Sequence, residues 1–226
     1  EAAGARIVEM DVTDTATTET GMAEAIASLG GLDVLFNNAG IGSYGIQELM
    51  APEDMARVFD VNVTGVQRVM RAALPHLRAQ GCGTVLYTSS LIGRIATPFY
   101  GTYSASKWAL EAIVECYRTE LSGFGIESCI IEPGAMPTAF FDGLVVPNEP
   151  EREAGYGEFA QVPAMSAAAR PFSSASLRAA GDSSGSSPLA CSAAGAASAL
   201  GSSFLAAGAE AASPSFSTPS TSPETP

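Results

Sequence analysis

The amino-acid sequence predicts an α/β protein built on an open parallel β-sheet. Three short apolar segments have the length and composition of buried strands, and each runs directly into small polar residues. Two longer segments between them repeat apolar residues at helical spacing. Because the carboxyl ends of parallel strands meet at one edge of a sheet, we expect the polar residues to line a ligand-binding crevice there.

The first strand is predicted over residues 32–36, Leu-Asp-Val-Leu-Phe. It runs into the Asn-Asn-Ala-Gly turn at 37–40, where a strand-to-helix connection would place a ligand. A helix is predicted to begin at Pro52, because a proline followed by two acidic residues suits a helix start. Its apolar face comprises Val58, Val61, Val66, Val69, Met70 and Leu74.

The second strand is predicted over residues 84–88 and ends in the pair Ser89-Ser90. A second helix is predicted from about residue 102 to 121, ending before Gly123. The third strand, 126–131, runs into Glu-Pro-Gly at 132–134. Every predicted strand therefore delivers polar or small residues to the same edge.

Tyr103 and Lys107 form the most informative pair in the chain. Lys107 is the only lysine, whereas the other ten basic residues are arginine. Arginine is effectively never deprotonated and is a broad planar group, so it cannot replace a compact amine. Spacing of four residues puts both side chains on one helix face. An ammonium within a few ångströms favours phenolate, so we expect Lys107 to lower the pKa of Tyr103 towards the range of a general acid–base.

The ordered motifs of the chain resemble the classical short-chain dehydrogenase/reductase family over roughly residues 5–145. The resemblance implies a Rossmann-like doubly wound parallel sheet and an oxidoreductase that transfers a hydride between a nicotinamide cofactor and a carbonyl or secondary alcohol. The motifs that carry it are Asn-Asn-Ala-Gly at 37–40, Asn62, Ser90, Tyr103-x-x-x-Lys107 and Pro133-Gly134-x-x-x-Thr138.

The resemblance implies four catalytic residues. Ser90, thirteen residues before Tyr103, would hydrogen-bond the substrate oxygen, a position that its neighbour Ser89 fits less well by spacing. Tyr103 would donate the proton in carbonyl reduction or accept it in alcohol oxidation. Lys107 would lower the pKa of Tyr103 and bind the nicotinamide ribose. Asn62 would hold a water molecule of the proton relay, or would be a helix amide satisfied by the backbone.

The resemblance also implies the residues that bind the cofactor. Two would contact the adenine, three would line the adenine ribose, two would form the turn beneath the nicotinamide, and two would contact its carboxamide, in addition to Tyr103 and Lys107. In that order they are Asp11 and Val12; Asn38, Ala39 and Gly40; Pro133 and Gly134; and Met136 and Thr138.

The chain departs from the family pattern at its amino terminus. It enters the pattern at the third strand, residues 6–12, and so resembles a fragment lacking the first two strands, roughly 50 residues. The Gly-rich turn that would hold the pyrophosphate is absent from these 226 residues. Residues that distinguish NAD from NADP belong to the missing second strand, so either cofactor is implied. We also expect residues 34–36 to form an exposed apolar edge.

Composition divides the chain into two parts. Residues 1–162 form a partial Rossmann-type catalytic domain, whereas residues 163–226 are rich in Ala, Ser, Gly and Pro and are predicted to be a disordered low-complexity tail. The tail is either a natural linker or the product of a shifted reading frame.

Charge and cysteine content limit the partners. A net charge of −13 and a pI near 4.3 argue against nucleic acid and anionic membranes, and no apolar run reaches the roughly 18 residues of a membrane span. The four cysteines show no Cys-x-x-Cys spacing, so a cytoplasmic protein with reduced thiols and without a metal is expected. The expected partner is a small-molecule carbonyl or alcohol, and the resemblance implies that the intact protein is a homodimer or homotetramer through its two long helices.

Two other functions remain open. Some relatives that share Tyr-x-x-x-Lys are epimerases or dehydratases, although the 37–40 turn and the Pro133-Gly134 segment favour the reductases. The chain could also be catalytically silent, since its pyrophosphate turn is missing. Apolar residues beside the motifs, Ile92, Phe99, Phe140 and Phe141, suit either a lipophilic substrate or the core.

Overall fold

The computed structural model describes residues 5–136 and 138–168. One parallel sheet has the strand order β1-β2-β3, formed by Val34–Asn37, Gly83–Thr88 and Ile126–Ile131. The α-helices are α1 (Thr15–Leu29), α2 (Pro52–Phe59), α3 (Gly65–Gln80), α4 (Gly101–Glu120), α5 (Pro150–Glu153) and α6 (Val162–Ala168). The predicted parallel α/β architecture is therefore confirmed.

The hydrophobic core lies on one face of this sheet. Leu35 of β1 is in register with Val85 of β2, and both are buried. Met70 of α3 and Val114 of α4 are fully buried in the same cluster. Removing each such side chain from water stabilises the fold by about 1.5–3 kcal/mol, so this layer fixes α3 and α4 against the strands.

The opposite face of the sheet is open within the described residues. β1 is an edge strand, and its Val34 and Phe36 are 55% and 51% exposed, whereas Leu35 is buried, so the predicted apolar edge is confirmed in part. Cys129 and Ile131 of β3 are exposed as well. Helices α1, α3 and α4 contribute residues to the core cluster on the face of Leu35 and Val85, whereas the described helices leave Val34, Phe36 and Cys129 on the opposite face exposed. A doubly wound sheet would have helices on both faces.

The predicted strand at residues 6–12 is not a strand in the structure. A strand needs a neighbour for its backbone hydrogen bonds, and none of the described strands pairs with this segment. Its end is held instead by α3, where Arg68 Nη1 donates to the carbonyl oxygen of Val12 at 3.0 Å. Gly65 also lies against Val12, since a Cβ there would be 3.0 Å from a Val12 methyl.

The long helix predicted from Pro52 is interrupted. A π-helical turn, Asp60–Thr64, separates α2 from α3 and contains the buried Asn62. Such a turn adds one residue to the helix and changes the direction of the side chains that follow it. The interruption thus places Asn62 within reach of the loop after β1.

The predicted tail begins within the described part of the chain. Residues 162–168 form α6, so the first residues of the predicted disordered segment are helical here. The remainder of that prediction, residues 169–226, lies outside the described residues. None of the described helices is long and apolar enough to cross a membrane.

Candidate active site

Tyr103 and Lys107 lie on the buried face of α4. They are 7% and 3% exposed, and the predicted spacing of four residues brings them together. The Lys107 ammonium lies 5.7 Å from the centroid of the Tyr103 ring. Its Nζ donates to the carbonyl oxygen of Thr88 at 2.7 Å, so the last residue of β2 fixes the position of the amine.

Burial changes the acidity of both groups. It lowers the pKa of Lys107 to about 8, and the carboxylate of Glu111 opposes this change. Burial also raises the pKa of Tyr103, while a hydrogen bond with Ser90 lowers it and Tyr100 raises it further. The expectation that Lys107 brings the pKa of Tyr103 below its ordinary value is therefore wrong for this structure, because desolvation of the phenolate outweighs the other effects.

Ser90 lies at the carboxyl end of β2, where the sequence predicted it. Its side chain hydrogen-bonds Tyr103, and its Oγ accepts from the backbone of Ile92 at 3.4 Å. The backbone N–H of Leu91 donates to the carbonyl oxygen of Pro133 at 3.0 Å. The loop that carries Ser90 is thus attached to the loop after β3.

Asn62 joins the turn after β1 to the catalytic helix. Its Oδ1 accepts from the backbone N–H of Ile41 at 2.9 Å, and its Nδ2 donates to the carbonyl oxygen of Ile41 at 2.9 Å. Nδ2 also donates to Ser106 Oγ at 3.0 Å, and that hydroxyl donates to the carbonyl oxygen of Tyr103 at 2.7 Å. These bonds agree with the structural alternative for this amide, and its role in a water relay stays a prediction.

The turn predicted to face the cofactor is exposed at the same edge. Asn38, Ala39 and Gly40 are exposed, and Asn38 Oδ1 accepts from the Thr88 hydroxyl at 2.9 Å. A Cβ on Gly40 would lie 3.3 Å from Asn62 Oδ1 and 3.5 Å from Lys107 Nζ. The glycine therefore leaves the space directly beside the buried amine free of side-chain atoms.

Asp11 lies on a cleft that adjoins this turn. Asp11 and Ile41 both line an open cleft of about 880 Å³, bordered on its other side by α2. The Asp11 carboxylate accepts from the backbone N–H and the hydroxyl of Thr13, both at 2.8 Å. These two hydrogen bonds lower the pKa of the exposed Asp11 carboxyl, and the bond from the Thr13 backbone has the larger effect.

The segment after β3 passes over the catalytic helix. Gly134, Met136 and Thr138 are exposed on this segment. Phe140, a little farther along, has its ring centroid 5.4 Å from that of Tyr103. The structure thus brings Pro133 to the loop that carries Ser90 and Phe140 to Tyr103, and leaves Met136 and Thr138 on the surface.

Glu111 was missed from the sequence. It is 3% exposed, and its Oε1 accepts from the Ser89 hydroxyl at 2.5 Å. Its position four residues after Lys107 is the signal that could have found it, since this spacing continues the face that holds Tyr103 and Lys107.

The chain matches a known protein family over the segment that carries these motifs. Residues 1–146 match the pattern of a family described as short chain dehydrogenase. A 3-ketodihydrosphingosine reductase from Bacteroides thetaiotaomicron is 35% identical over 137 residues, covering 61% of this chain and 51% of that protein. A 17-beta-hydroxysteroid dehydrogenase type 1 from Mus musculus is 40% identical over 139 residues, covering 62% of this chain and 40% of its own length. The chain therefore spans about half, or less, of these relatives.

Solved structures resemble the described fold over a similar stretch. A short chain dehydrogenase/reductase from Burkholderia phymatum, solved in complex with NAD, has a TM-score of 0.60 and 32% identity, covering 63% of this chain and 52% of its own. A gluconate 5-dehydrogenase from Burkholderia cenocepacia J2315, solved with NADP and tartrate, has a TM-score of 0.57 and 28% identity, covering 59% of this chain and 52% of its own.

Proposed function

Because this chain belongs to the short-chain dehydrogenase family, we propose that Tyr103 transfers the proton in the reversible reduction of a carbonyl by a nicotinamide cofactor. The observation that carries the proposal is the group formed at the carboxyl edge of the sheet by the buried Tyr103 and Lys107 and the half-buried Ser90. The phenol of Tyr103 and the hydroxyl of Ser90 can both donate to one oxygen, and the ammonium of Lys107 lies beside the phenol ring.

The protonation states suit carbonyl reduction near neutral pH. Since burial raises the pKa of Tyr103, the phenol carries its proton and can donate it. Since the pKa of Lys107 is about 8, the amine is mostly an ammonium at pH 7. When Tyr103 gives its proton to the substrate oxygen, the new phenolate lies close to this positive charge, which stabilises it.

Ser90 complements Tyr103 at the substrate oxygen. Its hydroxyl, which already hydrogen-bonds Tyr103, would donate to the carbonyl oxygen while the phenol protonates it. The substrate carbon gains a hydride, its oxygen gains the proton of Tyr103, and an alcohol results. In the oxidative direction the phenolate would take that proton back.

The residues near Lys107 fit the nicotinamide end of the cofactor. The bound cofactor would supply or accept the hydride. Lys107 offers an ammonium for the hydroxyls of the nicotinamide ribose, and Gly40 leaves the space beside that ammonium open. Asn38 offers an amide for the adenine ribose. Asp11, on the adjoining cleft, is an acceptor for the adenine end. The neighbours solved with NAD and with NADP support both cofactors equally.

The substrate proposed for this site is a lipophilic or aromatic carbonyl. Phe140 packs against Tyr103 on one side and against Phe141 on the other. Phe99 lies 6.0 Å from Tyr44 between ring centroids, close to the start of α4. An apolar wall of this kind favours an apolar ligand. The names of two relatives, for a ketodihydrosphingosine and a hydroxysteroid, refer to lipophilic compounds and support the same class.

The variant Tyr103→Phe tests the proposal and is made in the full-length protein that includes residues 1–226. Phenylalanine keeps the ring and removes the proton, so reduction of a panel of lipophilic ketones should fall at least about a hundredfold. The matched control is Tyr117→Phe, because Tyr117 lies on the same helix and bonds Gln67 instead. Cofactor affinity, followed by NADH and NADPH fluorescence, should stay within about threefold in both variants. Turnover of Tyr103→Phe close to that of the parent would exclude the proposed role.

A further inference from the structure

Glu111 is a buried carboxylate that the proposed chemistry does not use. It lies on α4 one helical turn after Lys107 and is 3% exposed. A buried charge is costly unless it is paired and hydrogen-bonded. Glu111 has both kinds of partner, since Ser89 Oγ donates to its Oε1 at 2.5 Å and Arg94 Nε forms an ion pair with its Oε2.

These partners come from the loop that carries Ser90. We refer to residues 89–94, which follow β2, as the Ser90 loop. Ser89 and Arg94 mark its two ends, so Glu111 attaches the loop to the catalytic helix on both sides of Ser90. Arg94 Nε also donates to Glu132 Oε1 at 3.0 Å, which extends the connection to the segment after β3.

The Ser90 loop lies so close to Glu111 that residue 93 must be a glycine. A Cβ on Gly93 would lie 2.5 Å from Glu111 Oε1 and 2.6 Å from Ser89 Oγ, distances that no real Cβ adopts. The glycine, the serine and the carboxylate therefore form one packed unit. These short distances indicate that the conformation of the loop depends on the Glu111 carboxylate.

We propose that Glu111 is a positioning residue that fixes the Ser90 loop against α4, so that the Ser90 hydroxyl and the Tyr103 phenol reach the same substrate oxygen. This inference rests on the proposed function of Tyr103 and Ser90. Glu111 itself touches neither of them, and its effect passes through Ser89 and Arg94. Displacement of the loop by a small distance lowers catalysis because two donors must converge on one atom.

Glu111 also acts on the charge of Lys107. The groups that face this part of α4 are Lys107 on the same helix, Arg94 from the Ser90 loop and Glu132 from the segment after β3, with Glu115 acting on Arg94 from the next turn. The negative charge of Glu111 favours the ammonium and so opposes the effect of burial on the pKa of Lys107. Its removal should therefore lower that pKa further.

The first test is Glu111→Gln in the full protein, with Glu120→Gln as the control. Glu120 is an exposed carboxylate on the same helix. We expect kcat of Glu111→Gln for ketone reduction to fall about tenfold or more, while the KM for the cofactor changes by less than about threefold. The alkaline limb of its pH–rate profile should move to lower pH, because Lys107 loses its proton earlier. Glu120→Gln should leave all three quantities unchanged.

Two further measurements do not depend on turnover. Deuterium exchange of the amides of the Ser90 loop should accelerate in Glu111→Gln, since its attachment to α4 is weakened. Because Lys107 is the only lysine of these 226 residues, ¹³C-labelled lysine gives one signal from them, identified by its loss in Lys107→Arg. The titration midpoint of this signal should be lower in Glu111→Gln than in the parent.

Arg94→Gln keeps the inference testable if Glu111→Gln does not fold. Arg94 is 52% exposed, so the fold should tolerate its replacement, which removes the ion pairs with Glu111 and Glu132 and keeps the hydrogen bond between Ser89 and Glu111. We expect faster exchange of the loop and a lysine midpoint that moves upward, opposite to Glu111→Gln, because a positive charge has been removed. If the amide exchange of the Ser90 loop and the titration midpoint of Lys107 equal those of the parent in both variants, the proposed role of Glu111 is excluded. Absence of turnover in the parent would instead count against the proposed function.

Discussion

At the scale of single residues, Lys107 is an ammonium that burial destabilises. Its pKa is about 8 in the folded protein against an ordinary value of 10.5, and desolvation is the main cause. The unfolded chain thus binds more protons between these values, so the free energy of unfolding should rise with pH across this window. The full difference corresponds to about 3 kcal/mol, of which about 2 kcal/mol should be gained between pH 7 and 9.5.

Lys107→Met tests this pH dependence. The variant has no titrating amine, so its free energy of unfolding should lack the rise, and its stability relative to the parent should decrease steadily from pH 7 to 9.5. Urea denaturation at several pH values measures both curves. The window stops at 9.5 because burial raises the pKa of Tyr87 and Tyr103, which makes stability fall above pH 10. Parallel curves for the two proteins would contradict the assignment.

The candidate catalytic residues could be predicted from the sequence, but the direction of the pKa change of Tyr103 could not. Tyr103 and Lys107 were predicted because their spacing of four residues on a helix is local, and Ser90 was predicted from the family resemblance. The pKa of Tyr103 depends on its burial, and Phe140, which packs on its ring, is distant in sequence. Glu111 escaped notice for the same reason, since a glutamate within a helix is recognised as buried only when Ser89 and Arg94 are known to face it.

At the scale of elements, the π-helical turn Asp60–Thr64 holds Asn62 against the loop after β1. The amide makes three hydrogen bonds and is 1% exposed, so its loss leaves partly buried backbone groups of Ile41 without these partners. We expect Asn62→Ala to lower the free energy of unfolding by about 2–4 kcal/mol. Asn148→Ala, at an exposed position, is the control. Equal urea midpoints for the two variants would show that these bonds contribute little.

The elements were predicted best where the sequence signal is local. The bounds of β3 agree with its prediction, and β2 differs by one residue, because both are apolar runs ended by small polar residues. The interruption at Asp60–Thr64 could not be predicted, since the apolar spacing continues through it. Residues 6–12 were assigned as a strand by resemblance alone, and a strand cannot form without a paired neighbour.

At the scale of the whole molecule, the 226 residues include candidates for binding the two ends of a dinucleotide and none for binding its pyrophosphate. Asp11 and Lys107 are the residues proposed for the ends, but the 226 residues contain no Gly-rich turn at a helix start to hold the pyrophosphate. We therefore expect residues 1–226 on their own to bind neither NAD nor NADP saturably at millimolar concentration. Isothermal titration calorimetry measures this directly.

A chimera provides the control for the binding measurement. Residues 1–226 preceded by the first βαβ unit of a family member should bind the cofactor, because the pyrophosphate site is then supplied. A micromolar dissociation constant for residues 1–226 alone would show that the ends suffice and that the Gly-rich turn is dispensable.

The open face of the sheet carries an exposed cysteine, Cys129, whose reactivity depends on whether that face is covered. Cys129 lies in register with Leu86 and Phe36 on that face, and its thiol is exposed. Cys116, which is also exposed, is on α4, the helix that packs against the other face of the sheet. The ratio of their reaction rates with a maleimide reagent therefore measures coverage of one particular face: a layer packed over β1–β3 slows Cys129 and leaves Cys116 unchanged.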